Sequence, residues 1–143
     1  MRLLATIIAA VLLLAGCGTD DKQTAESTPA PTSPAGPPTA EKYQTVEALK
    51  DAAVGFGLSC PSWVQDNAVQ AAAESGTCSD DSVLSTYATD ADLQFALENL
   101  QGMNEMAKEN NVPVDPQLIG PNWIINAPGA DKLAGKLGGT VER

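Results

Sequence analysis

Three cysteines are the only thiols of this 143-residue chain, and it contains no histidine. Without imidazole, Ser-His and Cys-His nucleophilic pairs cannot form, nor can any metal site that needs such a ligand. Chemistry is left to sulfur at Cys17, Cys60 and Cys78, and to carboxylates. Asp80-Asp81 and Asp90/Asp92 have the residue types for Ca²⁺ binding or acid–base work. Neither pair matches the calcium loop, which alternates its ligands, turns on a central glycine and closes on a glutamate. Asp80 and Asp81 fall in an expected turn, and Asp90 and Asp92 in an expected first helical turn, where negative charge is stabilising. Structural roles therefore take precedence. No catalytic or metal-ligating residue and no cofactor is assigned, and a carboxylate-dependent envelope enzyme is the least favoured function. Gly135-Lys136-Leu137-Gly138-Gly139 has neither the spacing nor the preceding strand of a phosphate-binding loop.

Cys17 stands at the end of an apolar stretch. Leu3 to Ala15 is thirteen residues, about 20 Å as a helix and well short of the ~30 Å hydrocarbon core. Arg2, the apolar run and the small residues after it have the layout of an export signal rather than a membrane span. Leu14-Ala15-Gly16-Cys17 satisfies all four positions of the bacterial lipobox, and the start of the chain resembles a bacterial lipoprotein signal. That resemblance implies diacylglyceryl transfer to the Cys17 sulfur and cleavage between Gly16 and Cys17. Residues 1–16 would be the signal, and Cys17 the first mature residue. Its palmitate-like chains would seat in the bilayer at the extracytoplasmic face of the cell membrane. At about 0.8 kcal/mol per buried methylene, two long chains hold far more firmly than one.

With the lipid on Cys17, Cys60 and Cys78 become an even pair in an exported, oxidising setting, which favours a disulfide. Closing that loop contributes about 3 kcal/mol in the chain-entropy model. Two free thiols or a redox pair are the alternatives, although a redox site ordinarily needs Cys-x-x-Cys spacing and a lowered pKa.

Eight Lys+Arg against eighteen Asp+Glu give a net charge of −10. This balance argues against nucleic acid and against an electrostatic grip on anionic lipid. From Gly18 to Lys42 there is no Val, Ile, Leu, Met or aromatic residue, while five prolines (Pro29, Pro31, Pro34, Pro37, Pro38) stand among Thr, Ser, Ala and Gly. Such a segment cannot bury enough apolar surface to offset its ordering entropy. Residues 17–42 read as an acylated N-terminus and tether. Every aromatic lies between Tyr43 and Trp123, and residues 43–143 read as one small domain.

Within it, Thr45 caps a helix through Val46, Leu49, Ala53 and Phe56. A longer helix begins after Thr89, with Asp92 completing a capping-box variant. Its stripe is Leu93, Ala96, Leu97, Leu100, Met103, Met106 and Ala107, and Asn110-Asn111 before Pro113 ends it. Residues 71–78 and 82–88 read as strands around the Ser79-Asp80-Asp81 turn, with Val83, Ser85 and Tyr87 on one face and Leu84, Thr86 and Ala88 on the other. Residues 117–126 read as one strand, broken or bulged at Gly120-Pro121. A short helix over 128–137 and an edge strand Thr140–Glu142 complete the order α-β-β-α-β-α-β. The expected fold is α+β, a small antiparallel sheet with helices on one face. It becomes a permuted ferredoxin-like arrangement if the last strand fills the place of a missing first one.

Trp63 and Trp123 are the aromatic candidates for a binding surface. Trp63, three residues after Cys60, is expected to pack over the disulfide. Trp123 with Asn122 and Asn126 offers a surface for stacking on a sugar or a partner side chain, set against the commoner role of a strand tryptophan in the core. With the lipobox, the two domain cysteines, Ser75-Gly76-Thr77-Cys78, Gly120–Asn126 and Leu133–Gly139, the chain resembles small lipoproteins of actinobacteria and of their phages. The resemblance implies a location and transfers Cys17 as the lipid site. The favoured function is a lipid-anchored, surface-displayed lipoprotein without catalysis, whose domain contacts another envelope protein or a wall component. The alternative is a phage- or prophage-encoded exclusion protein that blocks genome entry.

Overall fold

The computed structural model describes residues 38–79 and 81–143, Ser79 in its backbone alone. The lipobox, Cys17 and Asp80 lie outside the described residues. Helix α1 (Val46–Gly55) begins where expected, with Thr45 Oγ1 accepting from the Ala48 N–H at 3.2 Å. Strands β1 (Glu74–Ser79) and β2 (Ser82–Thr86) form a hairpin. Helix α2 (Asp90–Glu109) starts at Thr89, whose hydroxyl accepts from the Asp92 N–H and donates to the Asp92 carboxylate, a side-chain N-cap in place of the expected reciprocal capping box. It stops at Asn110, followed by Asn111 at φ 55°, a left-handed conformation that asparagine tolerates well.

The expected single strand over 117–126 is instead a hairpin of β3 (Gln117–Ile119) and β4 (Trp123–Asn126). Pro121 and Asn122 turn the chain, and the Gly120 N–H donates to the Trp123 carbonyl at 2.9 Å. Proline, which cannot donate to a ladder, sits where no ladder bond is required. A 3-10 turn (Ala130–Leu133) runs into α3 (Ala134–Leu137), and β5 (Thr140–Glu142) pairs with β3.

The result is an α+β fold with a five-stranded, wholly antiparallel sheet in the order β1-β2-β4-β3-β5. Its helices cover both faces rather than one. The row Leu84, Ile125, Leu118 faces α1 and α3, meeting Val46, Leu49, Ala53 and Leu137 in the main core. Ile124 and Tyr87 point the other way, against Leu93 and Ala96 of α2. The reason is topological. The crossovers β2–α2–β3 and β4–α3–β5 each skip one strand and advance in the same direction across the sheet, but start from strands of opposite sense. Crossovers of one hand must then pass over opposite faces. A permuted ferredoxin-like sheet would place the last strand inside, beside β2; β5 lies at the far edge, on β3 alone.

The other edge is covered. Val64 bridges Thr77 of β1 through two backbone bonds, and Asn67 bonds Ser75 through both its N–H and its side-chain oxygen. Pairing of this kind blunts an otherwise exposed strand edge. Among the described residues, no helix is long and apolar enough to cross a membrane.

Candidate functional site

Trp123 is fully buried, at 0 % exposure, and is not available to a ligand. It shares the core face of β4 with Ile125, as strand alternation requires. Its indole lies over Gly120, where any Cβ would collide with the ring. The indole N–H donates to the Glu41 carbonyl at 2.8 Å, and the ring meets Tyr43 edge-on at 6.1 Å between centroids. Asn122 closes a reciprocal pair with the Tyr43 backbone, accepting from its N–H at 3.0 Å and donating to its carbonyl at 2.7 Å. Residues 38–42, read from the sequence as the end of the tether, thus lie on the domain. Pro38 and Ala40 also pass against Gly138, whose φ of 73° and close backbone neighbours leave no room for a side chain. Trp123 and Asn122 therefore grip the chain's own N-terminal strap, Trp123 wholly buried in doing so and Asn122 half-buried.

Cys60 and Cys78 are joined by a disulfide, their Cα atoms 4.5 Å apart. Trp63 covers Gly76, the neighbour of Cys78 on the same face of β1, and Lys50 Nζ stands 5.6 Å from its ring centroid. Asp92 is engaged in the α2 cap, and among the described residues no three His, Cys, Asp or Glu side chains come together.

Asn126 has a different fate. It faces α2 and joins a cavity of about 500 Å³ between that helix and the sheet, within the size range of ligand sites. Val83, Ser85, Tyr87 and Ile124 of the β2–β4 region form the floor. Ala96, Leu100 and Met103 of α2 form one wall, and Val69 the other. The cavity exists because α2 is moored to one side. Gln117 of β3 donates to Asn104 at 3.2 Å and Lys108 donates to the Arg143 carbonyl at 3.3 Å, holding the helix toward β3 and β5 and leaving Val83 of β2 half-buried while Ser85 beside it is buried. The opposite wall is fixed by Ser75 Oγ, which accepts from the Val69 N–H at 3.0 Å, and by Ala71, held at φ 65°.

Length matters as well. The 20 residues of α2 extend about 30 Å, whereas the five residues of β2 and four of β4 extend roughly 13–17 Å. The apolar stripe consequently overruns the sheet. Leu93 and Ala96 are buried, while Met103 and Met106 remain 58 % and 64 % exposed.

The groove is apolar with a polar seam. Ser85 Oγ and Tyr87 Oη share a buried hydrogen bond at 3.0 Å, and burial pushes the Tyr87 phenol up from its ordinary range. Gln70, Asn99 and Asn126 set three amides around the opening. Among the described residues no Asp, Glu, Lys or Arg lines it, in a chain of net charge −10. Such a surface binds uncharged, largely apolar groups and orients them by a few hydrogen bonds.

Sequence reasoning named Asn126 and the Met103–Met106 stripe but did not bring them together, and it missed Val69, Gln70 and Asn99. The one local signal was a stripe too long for the strands beneath it. Comparison with protein-family models, curated proteins and solved structures found no match for this chain.

Proposed function

We propose that this protein is a lipid-anchored, non-catalytic binding module of the bacterial envelope that presents the groove beneath α2 to an uncharged, apolar group of a partner. The groove carries the reading: a cavity of about 500 Å³ with no charged side chain among the described residues of its lining, beside methionines that a solitary domain would have reason to bury. Leu14-Ala15-Gly16-Cys17 supports the anchor, with residues 18–37 separating Cys17 from the strap that lies on the domain. A charge-free groove on an acidic domain does not compete for the cations its remaining surface attracts.

Two measurements test it. Full-length protein from a host that processes lipoproteins enters the detergent phase of a phase-separating non-ionic detergent, and Cys17→Ser protein stays in the aqueous phase. Equal partition of the two overturns the anchor. The uncharged dye N-phenylnaphthylamine brightens on the full-length Cys17→Ser protein and does so much less on Ala96→Trp or Leu100→Trp versions, whose indoles fill the groove. Undiminished brightening in both overturns the site.

A further inference from the structure

We infer that the occupant of the groove is an extended, uncharged peptide segment of a partner protein, an inference that rests on the groove being the binding site. The segment's apolar side chains seat against Val83, Leu100 and Met103, and its main-chain amides are read by Gln70, Asn99 and Asn126.

The rim supplies the first argument. Gln70 and Asn99 are exposed and Asn126 half-buried at the opening, and among the described residues no side-chain hydrogen bond engages their amides. Each presents a donor and an acceptor, the same pair carried by every peptide group. A purely aliphatic chain would cover these amides without satisfying them, at a cost in binding. An extended peptide meets both needs, because its side chains alternate between the floor and solvent while its backbone runs along the rim.

Shape supplies the second. The apolar surface does not end at the cavity mouth but continues along α2 to Met106, one turn beyond Met103. A compact ligand leaves that extension bare, and an elongated one covers it. Unbranched thioether side chains adapt to whatever side chain arrives.

Edge pairing supplies the third. Addition of a strand to β1 is blocked by the Val64–Thr77 bridge and the Asn67–Ser75 bonds. Main-chain recognition on this side of the sheet therefore falls to side-chain amides. With no charged residue among the described residues of the lining, a neutral segment is favoured over a charged one.

Isotope-labelled full-length Cys17→Ser protein is titrated with an array of acetylated, amidated hexapeptides that alternate apolar with uncharged polar residues, and in parallel with dodecanol. Peptide binding is expected to move the side-chain amide resonances of Gln70, Asn99 and Asn126 together with the methyl signals of Met103 and Met106. Asn99→Ala and Asn126→Ala, checked for unchanged spectral dispersion, each weaken it about five-fold, the effect of one lost hydrogen bond. If dodecanol shifts the methyl signals and no peptide moves the amides, the peptide is overturned while the groove remains an apolar-group site. If neither ligand shifts the groove, both readings fall.

Discussion

Trp123 donates its indole N–H to the carbonyl of Glu41, 2.8 Å away in space and 82 positions earlier in the chain. The bond fastens the strap to the middle of the sheet, and the Asn122–Tyr43 pair beside it repeats the fastening. Trp123→Ala is expected to lower stability by about 3–5 kcal/mol, the range for emptying a buried aromatic site. Asn122→Ala, which strips the Tyr43 backbone of two partners, is expected to cost about 1–3 kcal/mol. Urea unfolding monitored at the remaining Trp63 and by circular dichroism checks both. A loss under 1 kcal/mol for Trp123→Ala would show that the strap and indole do not pack as described.

The Cys60–Cys78 bridge ties the segment after α1 to β1 across 18 positions. Joint replacement by alanine is expected to lower stability by about 3 kcal/mol, on the chain-entropy reckoning. Alkylation followed by mass spectrometry gives the direct check. In exported full-length protein, Cys60 and Cys78 take up two alkyl groups after reduction and none before it.

Thr86 has the one buried side-chain oxygen or nitrogen left without a hydrogen-bond partner among the described residues. It sits on the core face of β2, paired in register with Trp123 and 2 % exposed. A hydroxyl so placed loses its hydration and gains nothing in return. Thr86→Val keeps the shape and the β-branch and removes the orphan oxygen, and is expected to raise stability by about 1 kcal/mol in chemical denaturation. A loss of similar size would mean that the hydroxyl has a partner, such as a bound water.

Local signals were legible in the sequence and long-range ones were not. Thr45 and Thr89 mark the starts of α1 and α2, because a cap and an apolar period are properties of neighbouring residues. The alternation of Leu84 against Ser85 and Tyr87 also falls on the faces expected. Gly120-Pro121 was ambiguous, since a bulge and a tight turn demand the same residue types, and only the Ile119–Ile124 pairing separates them. Helices on both faces follow from strand order, which no short window encodes. The groove is built from the 69–70 loop, β2, α2 and β4, and so had no contiguous signature. The Ile neighbours of Trp123 favour a core role over the binding role its asparagines suggest, and its burial agrees. One of those asparagines, Asn126, does face the groove from the opposite side of the strand.

Tyr87 links groove and stability through its proton. Only two tyrosines are present, Tyr43 and Tyr87, and burial, aided at Tyr43 by the charge of Glu41, raises both phenols above the ordinary 10.0. A group that holds its proton more tightly when folded stabilises the fold below its unfolded pKa. Above about pH 10 the unfolded chain ionises first, and stability declines as pH rises. Tyrosinate absorbance of the native protein is therefore expected to appear at higher pH than in denaturant. Tyr87→Phe should remove one of the two raised tyrosinate components, and with it the Ser85 hydrogen bond, at a cost of about 1 kcal/mol. A neutral apolar ligand seated in the groove excludes the water that remains near the same phenol, so saturating ligand should shift Tyr87 ionisation to higher pH and leave Tyr43 in place. Identical titration curves with and without a ligand known to bind would show that it sits elsewhere.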